Sequence, residues 1–110
     1  MATLLWCRAR LHHSAMSTYI KVEWLHDLPD EPVMLFSELD HQRNETRKVE
    51  VFEDGHMEWA DASRESGTTG LSEEPIRDLA EIGADSQFVP HEISAEEFEA
   101  VWAAAQPQRA

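Results

Sequence analysis

Apolar and polar positions begin to alternate at Thr18. Ile20, Val22 and Trp24 share one parity and Tyr19, Lys21 and Glu23 the other, the period-two pattern of a half-buried strand. His26 continues the apolar parity, after which Pro29 and Pro32 break the run, because neither can donate to a ladder. A first strand is therefore expected over 18–26. Val33 to Leu39 opens apolar on both parities and predicts a second strand, over 33–39, in the interior of a sheet. Residues 40–44 are a polar connection.

Residues 45–61 specify a hairpin, and side-chain parity selects its turn. A two-residue Asp54-Gly55 loop would place Val49 and Val51 on the face opposite Met57 and Trp59. A three-residue loop, Glu53-Asp54-Gly55, places all four on one face and sets Gly55 at the left-handed position, where glycine meets no Cβ penalty. A one-residue slip would split the buried face, so the longer loop is predicted, with strands over 45–52 and 56–61. It sets Glu50 opposite Glu58, a repulsive pair that Lys48 can offset.

Ala62 to Gly70 reads as a loop. Ser72 is read as the N-cap of a short helix over 75–82, with Ile76, Leu79 and Ala80 as its apolar stripe and Gly83 past its end. Residues 84–92 read as irregular, anchored by Phe88. Ser94-Ala95-Glu96-Glu97 is a capping box, and Ile93 can staple onto Phe98. Phe98, Val101, Trp102 and Ala105 then recur at helical spacing before Pro107. Strands first and helices last define an α+β fold. The expectation is a four-stranded antiparallel sheet packed on one face by the C-terminal helix, with one short extra helix at an edge or end.

Length and composition add boundaries. A chain of 110 residues is one domain by size. Residues 1–15 show no period and contain Arg8 and Arg10 but no acid, so they read as a disordered or non-native extension. The domain is placed at 16–106 and a tail at 107–110. Cys7 is the single cysteine, which excludes an internal disulfide. No apolar run approaches the roughly 20 residues of a membrane span.

Charge narrows the partners. The chain is −13 overall, and residues 16–110 hold 22 acids against 7 Lys and Arg, a net of −15. Such a surface repels phosphate backbones and anionic lipid, so neither nucleic acid nor membrane is an expected partner. It would attract a basic protein, or else serve only as a solvated surface. The sole basic cluster, Arg43, Arg47 and Lys48, is interrupted by Glu45 and Glu50 and suits pairing with neighbouring acids. Candidate protein-binding residues are the loop acids Asp27, Asp30 and Glu31, the acids Glu73 and Glu74, and Phe52 on the outer face of the hairpin. Trp24, Trp59 and Trp102 fall on apolar faces and read as core.

Catalytic and metal chemistry finds little support. His26-Asp27, Asp40-His41 and His91-Glu92 are adjacent pairs, which on a strand point to opposite faces rather than at one ion. No Gly-x-Ser-x-Gly elbow occurs. Gly67-Thr68-Thr69-Gly70 lacks the lysine of a phosphate loop and is followed by Glu73 and Glu74. No catalytic residue, metal ligand or cofactor is assigned.

The ordered series Tyr19-Ile20-Lys21-Val22-Glu23-Trp24, His26-Asp27, Asp30-Glu31-Pro32-Val33 and Ser37-Glu38-Leu39-Asp40 continues with Glu45 to Phe52, Asp54-Gly55 and Ile93 to Phe98 with Trp102. It resembles a bacterial family of small acidic domains of unknown function, numbered 6881, over residues 18–103. The resemblance implies a bacterial cytoplasmic protein with no assigned activity, cofactor or catalytic residue.

Three classes of function are compatible with these features. The leading one is a non-enzymatic protein-binding domain, such as an immunity or antitoxin-like neutraliser of a basic toxin. The second is a structural or regulatory accessory domain. The third is a small enzyme or ligand-binding domain using loop acids and histidines, which a deep pocket with two converging carboxylates would favour.

Overall fold

The strand with apolar residues on both parities is the centre of the sheet. In the computed structural model, which describes residues 17–67 and 69–106, the strand order is β4-β3-β2-β1-β5, all antiparallel. β1 is Thr18–Trp24, β2 Pro32–Leu39, β3 Glu45–Phe52, β4 Met57–Asp61 and β5 Phe88–Ile93. Two helices follow β4, α1 at Leu79–Gly83 and α2 at Ala95–Ala105. The predicted extension, 1–15, and tail, 107–110, lie outside the described residues.

The hairpin has the predicted register. Val51 pairs with Met57, Val49 with Trp59 and Glu50 with Glu58. The loop closes through Phe52 N–H to His56 O at 3.0 Å and Gly55 N–H to Phe52 O at 2.9 Å, with Gly55 at φ 92°. Ser94 caps α2 by accepting from Glu97 N–H, and the Glu97 carboxylate turns to Lys21 at 3.3 Å.

Three expectations are corrected. The sheet has five strands, because residues 84–92, read as irregular, contain most of β5, paired with β1 from Tyr19–Ile93 to Trp24–Phe88. Pro90 and the exposed His91 and Glu92 obscure its period, and all three are tolerated because β5 is an edge strand. The first strand ends at Trp24 rather than at 26, since His26 turns into the loop. There His26 Nε2 donates to Pro32 O at 2.7 Å, and Nδ1 accepts from Leu28 N–H at 2.9 Å.

The third correction is to the short helix. Its N-cap is Asp78, which accepts from Glu81 N–H at 2.9 Å, whereas Ser72 closes a local turn with Glu74. The preceding segment is drawn off helical hydrogen bonding by the β2–β3 turn: Ile76 N–H donates to Arg43 O at 2.8 Å, and Arg43 donates back to the carbonyls of Ile76 and Arg77. Arg43 itself sits at φ 66°.

That tether lays the segment on a face of the sheet, not an edge. Phe36, Val49, Trp59 and Phe98 form one core, between the sheet and α2. Ile20, Val22 and Leu39 form a second on the opposite face, under Ile76, Leu79 and Ile82. The apolar parity of β1 therefore points away from α2. A bulge also serves this second face. Leu39 pairs with Glu45 but Glu38 with Arg47, so Thr46 is the extra residue and Glu45 turns inward. Glu45 is satisfied there by the Ser37 hydroxyl at 2.6 Å and Ser72 N–H at 2.8 Å.

Candidate functional site

The second face is only partly covered. Beside α1 and its leading segment a groove of about 730 Å³ stays open over the ends of β2, β3 and β4. Register builds its floor. Glu50 and Glu58 face each other across the hairpin, and Leu35 lies beside Glu50 on β2. Asp30 and Glu31 reach it from the β1–β2 loop, and Glu53 and Asp54 from the hairpin turn, which brings the carboxylates to six.

The positive charge in the groove is already engaged. Lys48 lies 3.3 Å from Glu50 and 3.9 Å from Glu45, and donates to Gly70 O at 2.9 Å. His56 stacks on Phe52 with ring centres 4.2 Å apart and 8° between planes, and its Nδ1 contacts Asp54. The backbone N–H of His56, followed by its ring, holds the Asp54 carboxyl below its ordinary value. Among the described residues, Glu58 has no Lys or Arg within ion-pair distance. Its side chain is 21% exposed, and the His56 ring lies 3.7 Å from its Oε2. Among the described residues, its Oε1 is shielded from solvent without a hydrogen-bond donor.

Aromatic surface completes the walls. Trp24, expected in the core, is only half-buried and lines the groove, its indole N–H held by Gln87 at 2.8 Å. Phe52 is covered by the stacked His56 ring.

Of the candidate binding residues, Asp30, Glu31 and Phe52 meet in this groove. Asp27 is exposed in the same loop but does not line it, and Glu73 and Glu74 are exposed on the segment before α1, away from it. Glu50, Glu53, Asp54, His56, Glu58 and Trp24 were not singled out. The signal for the floor was the hairpin parity itself: whatever sets Val49 and Trp59 on one face sets Glu50 and Glu58 together on the other.

Among the described residues, no group of three or more His, Cys, Asp or Glu is arranged to hold a metal ion. Both ring nitrogens of His26 are engaged by backbone. No helix among the described residues is long and apolar enough to cross a membrane.

Fold and groove together define an α+β domain with an open acidic groove on one face of its sheet. The chain belongs to the family described as a domain of unknown function, DUF6881, which matches residues 18–107. No curated protein and no solved structure matches it.

Proposed function

We propose that the domain is a non-enzymatic protein-binding module whose groove receives basic side chains of a partner protein, in the manner of an immunity or antitoxin-like neutraliser of a basic toxin. The observation that carries this reading is the charge of the groove: six carboxylates face one lysine, itself paired, and one histidine. Glu50 opposite Glu58 destabilises the empty hairpin. A cationic guest turns that repulsion into attraction. Trp24 lines the groove and offers it aromatic surface for a guanidinium or ammonium group. The charge of −15 over residues 16–110 draws such a partner in and repels phosphate backbones and anionic lipid. We set this role in the bacterial cytoplasm, in keeping with the family resemblance.

Two carboxylates in a cleft also suit acid–base chemistry. Here Lys48 holds Glu50 as an ion pair and the groove stays open to water, which favours the binding reading.

The test is fluorescence anisotropy of a labelled arginine-rich peptide against a glutamine-matched control, at about 50 and 300 mM salt. The arginine peptide is expected to bind, and to weaken several-fold at the higher salt. Glu58→Gln should weaken it about threefold or more while stabilising the free domain by about 0.2–1 kcal/mol through relief of the like-charge pair. An arginine peptide that binds no better than its control, or binds indifferently to salt, would sink the reading.

A further inference from the structure

A second, mainly apolar cavity of about 410 Å³ adjoins the groove on the same face. Its floor is Ile20, Val22 and Phe88, and its far wall is Ile76 and Ile82. The five-residue helix α1 has no fully buried residue, so it roofs the sheet incompletely and leaves this space beneath it. The two cavities share Leu35 and Lys48. They adjoin across Leu35 and the Lys48 side chain, which is tied to Gly70 O and Glu50, and are taken together as the two ends of a trough.

The registers show how the trough runs. Glu58 pairs with Glu50, Glu50 with Leu35, Leu35 with Val22, and Val22 with Pro90. One row across all five strands thus reads acid, acid, leucine, valine, proline. Its character changes from anionic to apolar within about 9.5 Å, the two strand spacings between Glu50 and Val22. An extended chain covers that distance in about three residues. Side chains on one of its faces recur every second residue, so either two or four positions separate a residue at one end from a residue at the other.

We propose that the trough takes an extended segment of a partner protein in which an Arg or Lys enters the acidic end and a large aliphatic side chain, two or four residues away, fills the apolar end. This deepens the acidic-groove reading and rests on it: charge complementarity selects a cationic segment, and the adjoining apolar cavity selects which one. A purely polyanionic chain is repelled at the acidic end, and a purely basic one leaves the apolar floor of Ile20, Val22 and Phe88 unfilled.

The experiment is NMR titration of the ¹⁵N-labelled full chain with Gly/Ser-based peptides: Arg–Leu peptides with the two residues two or four positions apart, one peptide with Arg alone, and one with Leu alone. The tighter-binding Arg–Leu peptide is expected to bind about tenfold or more tightly than the Arg peptide, since it buries one additional aliphatic side chain. It should shift the amides of Val22, Leu35 and Ile82 together with those of Glu50 and Glu58. The Arg peptide should shift only the second group. Equal affinity for the Arg–Leu and Arg peptides, with no shift at Val22 or Ile82, overturns the trough and leaves the acidic groove standing. Failure of all the arginine peptides to bind, or binding of the Leu peptide as tightly as the Arg–Leu peptides, overturns the groove as well. Glu58→Gln separates the ends: it should weaken all the arginine peptides by a similar factor and leave their ratios unchanged.

Discussion

At the residue scale, the informative positions are charged groups whose geometry departs from the bland expectation of surface pairing. Arg47 forms a two-pronged pair with Glu38, both bonds at 2.8 Å, extends to Glu99 on α2, and lies over the Phe98 and Trp102 rings at 5.0 and 5.1 Å. Its guanidinium is held firmly protonated by Glu38. Burial alone would raise the Glu38 carboxyl, but the Arg47 guanidinium and the Thr46 hydroxyl outweigh it and hold the group below its ordinary 4.5. The folded chain therefore takes up this proton less readily than the unfolded one. The stability it contributes is complete above about pH 4.5 and drains as pH falls through the lowered folded value. Glu38→Gln should lower stability at neutral pH and flatten the loss below pH 4.5, checked by urea midpoints from pH 7 to about pH 2. An unchanged acid slope would show that the pair contributes nothing to the linkage. The sequence placed Arg47 among acids but could not show this clamp, which needs β2, β3 and α2 together. For Arg43 the expectation of acid pairing does not hold, because its guanidinium goes to backbone carbonyls.

At the scale of elements, the hairpin and the C-terminal helix are legible locally, whereas β5 and the start of α1 are not. The hairpin and the C-terminal helix carry their own determinants: parity plus one glycine, and a cap plus an apolar stripe. β5 carries none, since its backbone is ordered by β1 and its sequence has Pro90 at the centre. α1 was displaced for a similar reason, its leading segment being tethered to a turn more than thirty residues earlier. The hairpin offers the direct check on element-level reasoning. Gly55 has φ 92° and open space where a Cβ would stand, so any penalty on substitution is conformational rather than steric crowding. Gly55→Val should lower stability by about 1–3 kcal/mol, measured by urea denaturation. The m-value should hold, because the fold persists with a strained turn. A loss under about 0.5 kcal/mol would mean that the turn relaxes and does not fix the register.

At the scale of the whole molecule, the two-sided sheet explains why the site was only half legible. Parity assigned the apolar residues of β1 to a single core, yet the sheet has two, and the groove is what the second covering leaves open. Net charge was legible, but not which acids converge. With 22 acids against 7 Lys and Arg in residues 16–110, the folded chain repels itself. Salt should therefore act on this protein with two opposite signs. Raising it from about 10 to 150 mM shortens the Debye length from about 30 to 8 Å and screens repulsion that compaction has concentrated. The thermal midpoint should accordingly rise. Over the same range, attraction to a basic peptide should weaken, because the same carboxylates are screened from the guest. Glu58→Gln should blunt both responses, since it removes one carboxylate that takes part in each. The check is thermal unfolding and peptide anisotropy measured on the same samples across the salt series. Stabilisation by salt with peptide affinity unchanged would reduce the acidity to a solvated surface. Loss of thermal stability with salt would show instead that favourable ion pairs such as Arg47–Glu38 and Lys48–Glu50 outweigh the self-repulsion.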